Sequence, residues 1–173
     1  MGYKIGSVAL IVFLLIPSCI LCRLSAESRV ILDHITIAGY ELQLEVREAK
    51  CILTFSGHSH LGELTLLPKP PCRFVRDWKG DPQSFSYEDI GNAMIVILVG
   101  TPSKEVSSDL SRRECGTESQ GVILREQGVL VSKRIGRGGL ICPSHGLDET
   151  EFWLFSHEWA RPYTGDSDGP SIK

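Results

Sequence analysis

Among the five histidines of this 173-residue chain, only His58 and His60 stand close together. On an extended strand, positions i and i+2 share a face, so both imidazoles could approach one metal ion. Glu63 is near, and His145, His157 or Glu158 could complete a site from afar. The surrounding Ser56-Gly57-His58-Ser59-His60-Leu61-Gly62 reads more simply as a polar, glycine-bounded turn. Two ligands without a recognisable third define no coordination geometry. A metal-dependent hydrolase using His58 and His60 is therefore an alternative, and neither metal nor cofactor is expected.

Other chemistry is sparser. No Gly-x-Ser-x-Gly elbow occurs, and Ser144 and His145 are neighbours in a loop where their side chains need not face each other. Asp148, Glu149, Glu151 and Glu158 could supply paired carboxylates for glycoside hydrolysis, but acids at a helix start more often serve as caps and dipole partners. Ile135-Gly136-Arg137-Gly138-Gly139 does not lead into an evident helix as a phosphate-binding loop should, and reads as a hairpin end. No catalytic residue is assigned.

The N-terminus explains much of what remains. Lys4 precedes an apolar run from Ile5 to Ile16 that is broken only by Gly6 and Ser7, and Pro17 ends it. The run is short of the roughly 20 apolar residues a bilayer span needs, and it fits a secretory signal peptide. Cleavage is expected after Ala26, in Leu24-Ser25-Ala26. Processing before Cys19, with lipidation of that cysteine, is the alternative, although Pro17 makes a poor lipobox.

Removing residues 1–26 takes away Cys19, Cys22, Lys4 and Arg23, and no acid. What remains carries 16 basic and 21 acidic residues, a net charge of −5. Such an acidic domain is a poor nucleic-acid binder. Lys133, Arg134 and Arg137 cluster, but read as a solvated strand edge. Four cysteines stay: Cys51, Cys72, Cys115 and Cys142. An even count in an exported domain argues for disulfides. The preferred pairing is Cys51–Cys72 and Cys115–Cys142, because each pair brackets a compact stretch that could form a local hairpin. Asn92 is the only asparagine and no glycosylation acceptor exists, which favours a bacterial source.

Strand signals dominate the elements that must position these residues. Val30–Ile37 and Tyr40–Val46 flank Ala38-Gly39, and Leu42, Leu44 and Val46 alternate with Glu41, Gln43 and Glu45. Cys51–Phe55 and Leu64–Leu67 are two further short strands around a polar turn. Ala93–Val99 is almost wholly apolar and should be a central strand covered on both faces. Gly121–Arg125 and Val129–Arg134 enclose Glu126-Gln127-Gly128 as a hairpin. The best helix is Asp148–Trp159, with Asp148 as N-cap and Phe152, Phe155 and Trp159 on its core-facing stripe. The expected fold is mainly β, an antiparallel sheet of sandwich or barrel type, with one short C-terminal helix and two disulfides. Residues 1–26 are the signal, 27–160 a single disulfide-bonded domain, and 161–173 a flexible tail.

Stiff loops are the remaining feature. Pro68-Lys69-Pro70-Pro71-Cys72-Arg73-Phe74 is restrained by its prolines and its cysteine, and Trp78 follows in a turn-rich stretch. Lys69, Arg73, Phe74 and Trp78 are the candidate partner-binding residues. A second tethered loop is expected at Cys115–Gly121. Rigid loops on a stapled sheet are how small exported inhibitors and immunity proteins present a surface, though that likeness is one of outline only. The expected function is non-enzymatic binding of another protein in the bacterial envelope, possessing no membrane span after processing. A lipidated structural envelope protein is the other alternative.

Overall fold

The computed structural model describes residues 29–102 and 115–157. The expected signal, Glu158, Trp159 and the 161–173 tail lie outside the described residues. Strands dominate, as the periodicity requires, and build two antiparallel sheets.

The first sheet is a four-stranded meander of β1 (Val30–Ile37), β2 (Tyr40–Arg47), β3 (Lys50–Gly57) and β4 (His60–Thr65). Its three hairpins close with two-residue turns at Ala38-Gly39, Glu48-Ala49 and His58-Ser59, and every turn residue has positive φ. This mirror-image turn matches the right-handed twist of the strands, but normally calls for Gly or Asn. Here only Gly39 meets that preference. The polar stretch around His58 is thus a tight turn, with β3 extended to Gly57 and β4 beginning at His60.

The second sheet is built on a long central pair, β7 (Ala93–Pro102) and β8 (Gly116–Arg125). The outer edge of β7 carries two short strands, β5 (Arg73–Phe74) and β6 (Ser84–Tyr87). The outer edge of β8 likewise carries β9 (Gly128–Val131) and β10 (Gly136–Ile141). Two expectations change here. The stretch after Cys115 is the first half of β8 rather than a loop, and the glycine-rich Gly136–Gly139 opens edge strand β10 rather than capping a hairpin. Extra residues bulge out between Arg137 and Ile141, which spoils β10 as a template for a foreign strand.

Two cores flank the second sheet. Tyr40, Leu42, Leu44 and Leu53 of the meander meet Phe74, Val96, Leu98, Val122 and Leu124 between the sheets. On the opposite face, Ile95, Ile97 and Ile123 pack under Phe152 and Phe155 of α1 (Glu149–His157). Successive β7 residues therefore point into different cores, which is why that strand is apolar throughout. Each large apolar side chain so buried contributes about 1.5–3 kcal/mol. Asp148 caps α1, its Oδ1 accepting the Thr150 N–H at 2.8 Å. Gly121 lets the helix approach, since a Cβ there would stand 2.6 Å from Phe155 Cβ.

Both disulfides form with the expected pairing. Cys51–Cys72 joins the start of β3 to the segment entering β5 and so staples the two sheets together. Cys115–Cys142 joins the entry of β8 to the exit of β10. Two bridges point to an oxidising, extracytoplasmic environment. Among the described residues, no helix is long and apolar enough to cross a membrane.

Candidate functional site

The connection from β5 to β6 is an exposed segment held by many hydrogen bonds. Asp77 organises it: its Oδ1 accepts the N–H groups of Lys79 at 2.8 Å and Asp81 at 3.0 Å, and its own N–H donates to Asp81 O at 2.8 Å. Gly80 turns the chain at φ +88° and donates to Asp77 O. Arg76 then bolts the loop to β1. Its guanidinium donates to Gly80 O at 3.1 Å, to Asp33 Oδ1 at 2.7 Å and to His34 O at 3.2 Å. Gln83 closes the base through a reciprocal amide pair with Leu147, each bond 2.8 Å long. At the tip Trp78 is 85% exposed, with Lys79 Nζ 5.0 Å from its ring centre.

The other three loop residues part company with Trp78. Phe74 is not on display: it is 1% exposed, because β5 alternation turns it into the core between the sheets. Arg73 faces the other way, half-buried, and donates to Leu32 O of β1 at 2.8 Å. Lys69 is exposed, and its backbone is clamped by Thr101, whose Oγ1 accepts the Lys69 N–H and whose N–H donates to Lys69 O at 2.6 Å. Trp78 and Lys69 therefore remain as exposed candidates, on different loops.

His58 and His60 do not share a strand face. The turn at His58-Ser59 separates them, and the i, i+2 relation assumed for a strand fails there. His58 Nε2 instead donates to Ala38 O at 2.8 Å, and its ring lies 4.9 Å from that of Tyr40. It locks one hairpin turn against another. Among the described residues, no group of three or more His, Cys, Asp or Glu side chains could hold a metal ion.

The fold also assembles a serine–histidine–aspartate arrangement that no sequence motif announces. Ser156 Oγ lies 2.8 Å from His157 Nδ1, and His157 Nε2 lies 2.7 Å from Asp89 Oδ2. No local signal links Asp89 to a histidine 68 positions away. The order resembles a catalytic triad, but Ser156 is 0% exposed and its hydroxyl donates to Trp153 O. A nucleophile must reach its substrate, and this one cannot. The cluster fastens the end of α1 to the turn at Glu88–Ile90. Nearby, burial first, and then the Glu149 and Asp89 carboxylates, push the Tyr87 phenol above its ordinary range. Ser144 and His145 are exposed on a short 3-10 turn, and Glu149 and Glu151 occupy the first turn of α1.

The outer face of the meander carries a shallow depression of about 550 Å³. Glu45 on its floor is 3% exposed, with Arg47 Nε at 3.5 Å and Arg29 Nε at 3.7 Å. Arg47 also donates to Glu63 at 2.8 Å. That hydrogen bond, then the Arg47 charge, holds the Glu63 carboxyl below the usual range. A general acid needs its carboxyl shifted the other way. The row is an interlocked charge ladder on a polar sheet face.

Comparison with known protein families, curated proteins and solved structures returns no match to this chain.

Proposed function

We propose that this chain is an exported, non-enzymatic binding protein of a bacterial envelope, which captures another protein through the Trp78 loop. The observation that carries this reading is a bare indole on a loop immobilised by its own hydrogen bonds and by the Arg76–Asp33 ion pair. Tryptophan is among the residue types that most often anchor protein interfaces. A loop already ordered before binding loses little further entropy on docking. An inhibitor or immunity protein against a wall-directed enzyme or toxin has these properties.

The test is capture from envelope extract with a photo-crosslinker placed at Lys79, followed by purification of the captured protein and measurement of its affinity. Trp78→Ala should weaken that affinity by about 2 kcal/mol, roughly thirtyfold. No captured protein, or an affinity indifferent to Trp78→Ala, overturns the reading. Mass spectrometry of the exported N-terminus settles tethering: a chain starting at Glu27 is free, and an acylated Cys19 is anchored.

A further inference from the structure

Among the described residues, every outer strand but one is blunted against pairing with a further strand. β10 is bulged, β5, β6 and β9 span only two to four residues, and β1 carries a register shift and is clasped to β5. β4 differs. Its six residues, His60–Thr65, pair with β3 in unbroken register and contain no proline, and no strand lies beyond them. An open edge of this kind recruits another strand unless something prevents it.

The turn at His58-Ser59 fixes which backbone groups face out. A two-residue turn makes Gly57 and His60 a hydrogen-bonded pair, and alternation then bonds Phe55 with Gly62 and Leu53 with Leu64. The N–H and C=O groups of Leu61 and Glu63 therefore point away from β3, and no backbone group meets them among the described residues. Past β4 the chain bends to the second sheet, where the Leu67 N–H donates to Gln120 at 2.9 Å, so Leu61–Glu63 is the open part of the edge. Leu61 is 85% exposed. Glu63 would ordinarily guard such an edge, but Arg47, two strands inward, draws its carboxylate back over the sheet. On the inner face Gly62 leaves a gap that the half-buried Phe55 ring crosses, since a Cβ there would stand 2.6 Å from Phe55 Cζ.

We propose that β4 pairs antiparallel with β4 of a second copy of this chain, about a two-fold axis at Gly62. In this register Leu61 stands opposite Glu63 of the partner subunit, Glu63 stands opposite Leu61 of the partner subunit, and each pair exchanges both backbone hydrogen bonds. A register centred on Glu63 would set two carboxylates face to face, and one centred on Leu61 would carry the next pairing position into the His58-Ser59 turn. The axis at Gly62 instead brings two glycines to the close spacing of a non-hydrogen-bonded pair, about 4.5 Å between Cα atoms, and the two Phe55 rings meet over them. A foreign strand would have to supply this apolar, small, acidic order, whereas the chain's own β4 supplies it by symmetry. The edge is formed by other elements than the Trp78 loop, and the inference does not rest on the function proposed for that loop.

The experiment is sedimentation equilibrium of the purified exported protein, from about 10 μM to about 1 mM, with amide exchange followed over the same range. A dimer should fill within that range, and the Leu61 and Glu63 amides should become protected as it does. Leu61→Glu sets a carboxylate opposite Glu63 of the partner subunit and should weaken the dimer about tenfold, whereas Leu61→Lys should strengthen it about threefold. Both changes fall at an exposed position, so the monomer should melt within about 2 °C of the parent. Leu61→Pro removes an outward N–H while sparing the β3–β4 bonds, and should abolish the dimer. The proposal fails if the protein stays monomeric at the highest concentration, or if Leu61→Glu and Leu61→Lys shift the dimer alike. It also fails if the dimer persists in Leu61→Pro, or forms without protecting the Leu61 and Glu63 amides.

Discussion

Asp33 shows how much one side chain can decide. A register shift in β1 beside it brings its carboxylate, only 10% exposed, against the second sheet. There it accepts the Phe74 N–H at 2.9 Å and the Arg76 guanidinium at 2.7 Å. Those two bonds close the sandwich along β1 and hold the Trp78 loop at once. Asp33→Ala should lower unfolding free energy by about 3 kcal/mol, because it strands a backbone donor and a half-buried cation. Urea denaturation measures this, and a loss under about 1 kcal/mol would show that water replaces the carboxylate. Trp78→Ala should leave the same curve within about 0.5 kcal/mol, as an exposed indole contributes little to folding. None of this is visible in the sequence around Asp33, since its partners lie about forty residues downstream.

Among the elements, the meander is held in register by turns whose residues oppose them. Glu48 and Ala49 both sit in the left-handed region, at φ 49° and 59°. Replacing them by Asn-Gly should stabilise the fold by about 1 kcal/mol, visible as a higher urea midpoint at unchanged slope. The same exchange at His58-Ser59 should gain less or lose stability, because it removes the imidazole's bond to Ala38 O. Helix α1 makes a pH prediction. The Thr150 side chain, then its backbone N–H, hold the Asp148 carboxyl below its ordinary value. A depressed carboxyl stabilises the fold above its unfolded pKa and loses that effect as pH falls through the folded value. Amide protection in the first turn of α1, taken relative to the unfolded chain at the same pH, should therefore fall on acidification below about pH 4, and Asp148→Asn should flatten that dependence. An unchanged profile in the variant would show that another group governs the helix start.

For the molecule as a whole, the disulfides matter in proportion to what they join. Cys51–Cys72 crosses from one sheet to the other over a separation of 21 residues. Removing it by a double Cys→Ala exchange should cost about 3 kcal/mol, read from the loss of urea midpoint. A much smaller loss would mean that the core between the sheets and the Asp33 clasp hold them without the bridge. Periodicity in Tyr40–Val46, the unbroken apolar run from Ala93, the parity of four cysteines and the cap at Asp148 were all legible in the chain. Each is a short-range rule: a period of two, a hydrophobic run, a count, a polar residue before a helical stripe. The Trp78 loop was legible only in part. Proline spacing marked a stiff segment, but it could not say that Phe74 turns inward while Trp78 stays in water. The fate of His58 and the buried Ser156 cluster depended on contacts between elements distant in the chain. By itself, then, the sequence determined a strand-rich, disulfide-bonded domain and the faces of its best strands, because those follow from local alternation and cysteine count. Only the tertiary structure decided which polar groups are matched, which aromatic is displayed and where space remains. Those properties arise from sheet order and from side chains meeting across it.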